Sequence, residues 1–231
     1  MPRRAFIDLH CHTSASFDCL SRPRDVARAA ADRGLTHLIV TDHDRIDGAL
    51  AVRDAAPPSL TVIVGEEVRT TEGDLICAFL ERAIPPGLTA AETITAAREQ
   101  GGLVGIPHPF DRMRGSLLKD ARMASLASQV DWVEVHNARI VGNGNERAVE
   151  FAREHDLAGV AVSDAHSIVE IAVGYTALDG DPSTPEGLLA ALAGAEFVTG
   201  RASYVVRLWT PVAKGVQRLR GNGRIRPAAA A

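Results

Sequence analysis

Seven short apolar runs, at residues 5–9, 37–41, 60–64, 75–79, 103–106, 132–135 and 159–162, recur along the chain with Ala-rich helical stretches between them. Most are β-branched and closed by turn residues, the pattern of strands buried on both faces. Strand and helix alternating at this spacing predict an α/β fold built from repeated β/α units, closed as a barrel. The runs at 60–64 and 75–79 break the alternation. A tight polar link through Thr71, Glu72 and Gly73 joins these two runs as a hairpin inserted into the barrel.

The intervening helices carry readable ends. Ser21 is placed to cap a helix with Pro23 in its first turn and Gly34 past its end. Thr89 and Glu92 have capping-box spacing, Gly101-Gly102 stops that helix, and Thr184-Pro185-Glu186 opens another. A length of 231 residues with 46% hydrophobic content suits one large domain with a substantial core. The expected division is a barrel domain over residues 1–204 and a basic extension, partly disordered, over residues 205–231. In that extension Arg218, Arg220, Arg224 and Arg226 crowd the end, and it reads as a frayed, solvated tail, with a partner- or phosphate-binding extension as the alternative.

A net charge of −4 opposes a protein that coats nucleic acid, and no aromatic-rich basic groove suggests a stable complex with long nucleic acid. No apolar run is long enough for a bilayer and no signal-peptide pattern opens the chain, so a cytoplasmic location without membrane contact is expected. Cys11, Cys19 and Cys77 cannot all pair with one another, and each reads as a reduced, semi-buried thiol rather than a ligand.

The histidines place the chemistry. His10 and His12 follow the first run, and alternation turns both rings to one side. His43 follows the second run, Glu67 the third and His108 the fifth; His136 closes the sixth, and Asp164 and His166 follow the seventh. In a parallel barrel these strand ends converge on one mouth. His37 begins a strand and His155 ends a helix, so both read as structural. Imidazoles and carboxylates aimed into one cavity need a cation to balance them. Mixed N/O ligation suits Mn, Fe or Zn, and so many donors imply a multinuclear site with Glu67 placed to bridge two ions. A bound ion brings the pKa of water from 15.7 to near 7, which makes a bridging hydroxide available as a nucleophile.

Five motifs together, Asp8-Leu9-His10-Cys11-His12-Thr13 with Asp18, Thr41-Asp42-His43-Asp44, Gly65-Glu66-Glu67-Val68, His108-Pro109 and Ser163-Asp164-Ala165-His166, strongly resemble the PHP family, named for its polymerase and histidinol phosphatase members. The resemblance covers roughly residues 5–201. It implies a distorted seven-stranded β/α barrel, two or three metals at the mouth, and phosphoester hydrolysis. It assigns His10, His12, Glu67 and Asp164 to a first ion, Glu67 and His108 to a second, and Asp18, His43 and His166 to a third. Many similar sequences have histidine where this chain has Asp74, so Asp74 or His136 is the remaining ligand candidate. His136 is also a candidate substrate contact. Asp164 and His166 are candidate proton shuttles, and Arg112 and Arg139 candidate holders of a second phosphate or a carboxylate. The expected substrate is a small phosphoester, a nucleotide or short oligonucleotide. A histidinol-phosphate-type phosphatase and a non-catalytic metal-binding scaffold are the alternatives.

Overall fold

The computed structural model describes residues 4–111 and 120–225. The chain runs β1 (Arg4–Asp8), α1 (Pro23–Asp32), β2 (His37–Val40), α2 (Asp47–Ala55), β3 (Thr61–Arg69), β4 (Asp74–Ala78), α3 (Ala90–Arg98), β5 (Leu103–Ile106), α4 (Asp120–Leu126), β6 (Trp132–Asn137), α5 (Gly144–Glu154), β7 (Ala158–Val162), β8 (Gly174–Asp179), α6 (Pro185–Leu192), β9 (Glu196–Thr199), α7 (Tyr204–Arg207) and α8 (Trp209–Leu219). All strands join one sheet in the order β7-β6-β5-β4-β3-β2-β1-β8-β9. Pairing is parallel for β1–β2–β3 and β5–β6–β7, and antiparallel where the β3–β4 hairpin is inserted and where β8 and β9 are added.

The sheet curls until β7 meets β8. Thr176 Oγ1 both receives the Ala161 N–H and donates to the Ala161 carbonyl, each at 2.9 Å, so a side chain closes the seam that no backbone ladder spans. Gly174 permits the approach, since a Cβ there would stand 2.5 Å from the Val162 carbonyl oxygen. The fold is thus a distorted β/α barrel, with nine strands among the described residues where seven were expected. Of the two extra strands, β9 escaped the sequence pattern because it is exposed along its whole length and shows no buried apolar face.

Alternation divides the core. Leu38 and Val40 of β2 pack in a large cluster with the helix residues Val26, Ala30 and Val52. Ile39 packs with Ile7, Ile63, Ile76, Val160 and Trp132 from the other strand faces, together with Leu188 and Leu192 of α6. Trp132 is fully buried and lies so close to Gly105 that a Cβ there would be 2.1 Å from Nε1. The Thr89–Glu92 capping box forms, and Thr184 caps α6 by accepting the Gly187 N–H. Ser21 does not cap α1: the N-cap is Arg22, without a side-chain bond, and Pro23 alone marks the start.

The segment expected as a solvated tail is helical over α7 and α8 and packs back onto the barrel. Ala213 is fully buried and Gln217 nearly so. Gln217 Nε2 lies 2.7–2.9 Å from the carbonyl oxygens of Ser14, Ser16 and Cys19, and Asn222 Nδ2 reaches those of Ser14 and Ala15. Three carbonyls turned out of any ladder need donors, and this segment brings them. Among the described residues no helix is long and apolar enough to cross a membrane.

Candidate metal centre

The strand ends are tied into one rim. His12 N–H donates to the Ala165 carbonyl, Thr41 N–H to that of Cys11, Glu67 N–H to that of Asp42 and Asp44 N–H to that of Glu67. Asp8 Oδ1 accepts from Ser163 N–H at 3.0 Å, locking the end of β1 to the end of β7. Asp44, His108, Phe110 and Asp164 adopt positive φ of 59°, 29°, 63° and 52° on this rim, backbone strain of the kind that persists where side chains must be aimed.

Three groups of donors result, each with ligand atoms within 4.8 Å of one another: His10, His12 and Glu67; Glu67, Asp74 and His108; His12, His43 and His166. In the first, Glu67 Oε2 lies 3.3 Å from His10 Nε2 and 3.4 Å from His12 Nε2, and Asp164 Oδ1 lies 3.5 Å from both. In the second, Glu67 Oε1 faces His108 Nε2 at 2.8 Å. In the third, Asp18 Oδ2 stands 3.5 Å from Nε2 of both His43 and His166. Glu67 also reaches His43 Nδ1 at 3.2 Å, so one carboxylate touches all three groups. Every one of these side chains is buried.

Burial this deep disfavours charge on every member, and the neighbours then split the titrations. Burial lowers His10 and His43, but surrounding carboxylates outweigh it: Asp164, Glu134 and Glu67 hold His10 well above the ordinary range, and Glu67 and Asp18 lift His43 to about 9. His12 and His166 go the other way, His166 to about 3, through burial and nearby cationic groups. The imidazoles of His10 and His43 thereby stand in for missing positive charge. The donor set fits divalent ions on a second count as well: buried Asp18 Oδ1 makes no hydrogen bond among the described residues, and His43 Nδ1 meets the Glu67 carboxylate only outside hydrogen-bonding geometry.

A supporting layer aims the rings. His10 Nδ1 donates to Glu134 Oε1 at 2.6 Å, His166 Nδ1 to the Asp164 carbonyl at 2.9 Å, and His12 Nδ1 lies 3.1 Å from Ser16 Oγ, leaving each Nε2 toward the cluster. Asp42 holds the loop beneath, accepting from the N–H and Oγ1 of Thr13 and the N–H and Oγ of Ser16. Of the three thiols none joins the centre. Cys19 Sγ donates to the carbonyls of His166 and His12, and burial raises it to about 12.

His136 does not reach the cluster. Its Nε2 donates to the Gly200 carbonyl and its Nδ1 accepts from Asn145, because a bulge between Glu134 and His136 shifts the register and turns the ring away. Glu134, overlooked in the sequence, takes the inward place, and Asn137 past the bulge bonds to both Glu134 and Asp164. Arg112 lies outside the described residues. Arg139 is at the mouth, with its guanidinium held by Glu170 at 2.7 Å and Thr210 at 2.8 Å. Asp74 reaches the second group and also takes Arg224 at 3.1 Å, a cation delivered from the far end of the chain. His37 binds Thr36 and Ser183, and the His155 ring lies against Phe151, both away from the centre.

Above the donors opens a cavity of about 440 Å³, with Asp18, His43, Asp74 and His166 in its floor and Thr210, Lys214 and Arg224 of the C-terminal segment in its wall. Residues 8–123, half of the chain, match the family model of the PHP domain, and residues 136–196 match the PHP-associated model. An uncharacterised protein of Methanocaldococcus jannaschii is 35% identical over 142 residues, 57% of this chain and 81% of that protein. A two-domain protein of Bacteroides vulgatus containing a predicted PHP-like metal-dependent phosphoesterase superposes with a TM-score of 0.69 at 18% identity, over 86% of this chain and 66% of that one. A lesion-specific endonuclease of Pyrococcus furiosus gives 0.61 at 16% identity, over 84% of this chain and 58% of that one. The two structures share the barrel, and the matched domain begins at Asp8 and spans the first four motifs: the chain belongs to the PHP domain family.

Proposed function

We propose that the chain is a metal-dependent phosphoesterase that hydrolyses small phosphoesters of the nucleotide or short-oligonucleotide type. Its ligands are His10, His12, Glu67 and Asp164 for one ion, Glu67, Asp74 and His108 for a second, and Asp18, His43 and His166 for a third. The observation that carries this reading is Glu67, a fully buried carboxylate whose two oxygens face four imidazoles from three donor groups. Bound divalent ions of the Mn, Zn or Fe kind would supply acidified water and neutralise phosphoryl charge.

The protein's own residues supply alignment. Glu134, Ser16 and the Asp164 carbonyl fix the rings of His10, His12 and His166, and the rim hydrogen bonds hold the strand ends that carry them. His166 has Nδ1 on the Asp164 carbonyl and Nε2 toward Asp18, so ligation rather than proton transfer is its role. The cavity accommodates a small molecule and the C-terminal helices close one side of it, which disfavours a long duplex.

Phosphate release is the test. The protein loaded with Mn, Zn or Fe is given an aryl phosphate, nucleotides and dinucleotides, beside His10→Ala and Asp164→Ala variants. Turnover by the parent and its loss in both variants, with the far-ultraviolet spectrum unchanged, is expected. A parent inactive on every substrate with all three metals, or variants as active as the parent, would overturn the reading.

A further inference from the structure

We infer that Lys214, on the C-terminal helix α8, selects substrates that carry a second anionic group besides the phosphoryl group to be hydrolysed. This rests on the phosphoesterase reading and adds the feature of the substrate that the site recognises. Lys214 is half-buried, lines the cavity, and places Nζ 5.3 Å from the centroid of Phe17. The same ring lies 5.0 Å from His43. Ammonium and metal-ligand imidazole therefore pack against one and the same ring and line one cavity, within reach of a single small molecule.

The other basic groups lining the cavity, Arg139, Arg207 and Arg224, already have partners. Arg139 is bound by Glu170 and Thr210, and Arg224 by Asp44 and Asp74. Lys214 has no carboxylate within ion-pairing distance among the described residues; its neighbour is an aromatic face. A partly desolvated ammonium gains from a counter-charge, and a phosphate or carboxylate entering the cavity provides one. The wall is poorly suited to stacking, because Phe17 already faces His43, Lys214 and Arg224.

The position of Lys214 is also fixed rather than floppy. Three residues on, one turn along the same face, Gln217 is clamped to the loop that carries Phe17 and Asp18. Helix and loop therefore hold ammonium and metal ligands at a set spacing, as recognition of two charges in one molecule requires.

The experiment compares the full-length, metal-loaded protein with Lys214→Met, which keeps length and removes charge, and Lys214→Arg, which restores charge. Substrates are a nucleoside bisphosphate, a phosphorylated hydroxy acid and an aryl phosphate without a second anion. In Lys214→Met the preference in kcat/KM for the second-anion substrates over the aryl phosphate should fall about tenfold, through KM, with Lys214→Arg close to the parent. A fall for the bisphosphate alone identifies the second group as phosphate, and for the hydroxy acid alone as carboxylate. An unchanged preference in Lys214→Met, or an equal fall in Lys214→Arg, overturns the assignment. If the parent hydrolyses none of the three, the phosphoesterase reading fails separately, and calorimetric titration with inorganic pyrophosphate decides the role of Lys214. Affinity about tenfold lower in Lys214→Met supports it, and equal affinities overturn it.

Discussion

Glu134 receives His10 Nδ1–H at 2.6 Å on one oxygen while its other oxygen takes the backbone N–H of His108, also at 2.6 Å. One buried carboxylate thus orients a donor of the first group and the backbone of a donor of the second, from a strand that contributes no donor itself. Removing its charge while keeping its shape should cost metal affinity more than stability. Glu134→Gln is expected to weaken the tightest ion about 10- to 100-fold, measured by competition with a chromophoric chelator. An unaltered affinity would mean that the carboxylate serves packing alone.

Metal uptake should release protons. In the metal-free chain Glu67 and Asp18 lift His43 to about 9, and carboxylates hold His10 well above its usual value, so both rings are cationic at neutral pH. Ligation requires neutral imidazole, and each proton displaced makes affinity rise with pH until the group has titrated. Apparent affinity should therefore climb from pH 6 through about 9. Calorimetric titrations at pH 7 in buffers of different ionisation enthalpy should show at least one proton released per protein. A pH-independent affinity would contradict this charge balance.

The seven strand runs, the inserted hairpin and the histidines at strand ends were legible because each depends on local pattern. Alternation alone brings His10 and His12 to one side, and a barrel brings the strand ends together. His136 misled because alternation was carried through a bulge that periodicity cannot reveal. Glu134, one strand repeat earlier, was the residue to choose. The C-terminal segment read as solvated because its basic residues look superfluous until their partners are known. Arg224 meets Asp74 150 positions away, and Gln217 satisfies carbonyls of the loop after β1 about 200 positions away. Ser21 has the chemistry of a cap, but α1 begins at Pro23, two residues beyond it, and Arg22 takes the cap position.

Gly48, in the first turn of α2, shows how closely that loop is fitted. A Cβ there would stand 1.9 Å from Asp42 Oδ2 and 2.4 Å from Thr13 Oγ1, the pair whose hydrogen bond closes the loop. Gly48→Ala must displace Asp42, and the buried donors of Thr13 and Ser16 lose their acceptor. A destabilisation of about 2–4 kcal/mol is expected in urea unfolding, with weaker metal binding alongside. Wild-type stability in the variant would show that α2 can shift freely, contrary to its packing.

Asp74 and Arg224 set the character of the second group. Asp74 Oδ1 accepts from Arg224 Nη2 at 3.1 Å, and Arg224 Nε faces Asp44 Oδ2 at 3.4 Å, while Asp74 also lies in ligand range of Glu67 and His108. Burial would lower the guanidinium, but Asp74 and Asp44 outweigh it and raise it further, so its charge is permanent. A fixed cation on a ligand carboxylate competes with an ion for the same electron density. Arg224→Ala should therefore tighten the second ion, by about tenfold where the interaction is partly screened, and Asp74→Ala should lower metal content by about one ion per chain. Metal analysis after dialysis and a chelator titration read both. Weaker binding in Arg224→Ala would instead mean that the arginine holds Asp74 in place for the ion, and an unchanged metal content in Asp74→Ala would remove Asp74 from the ligand set.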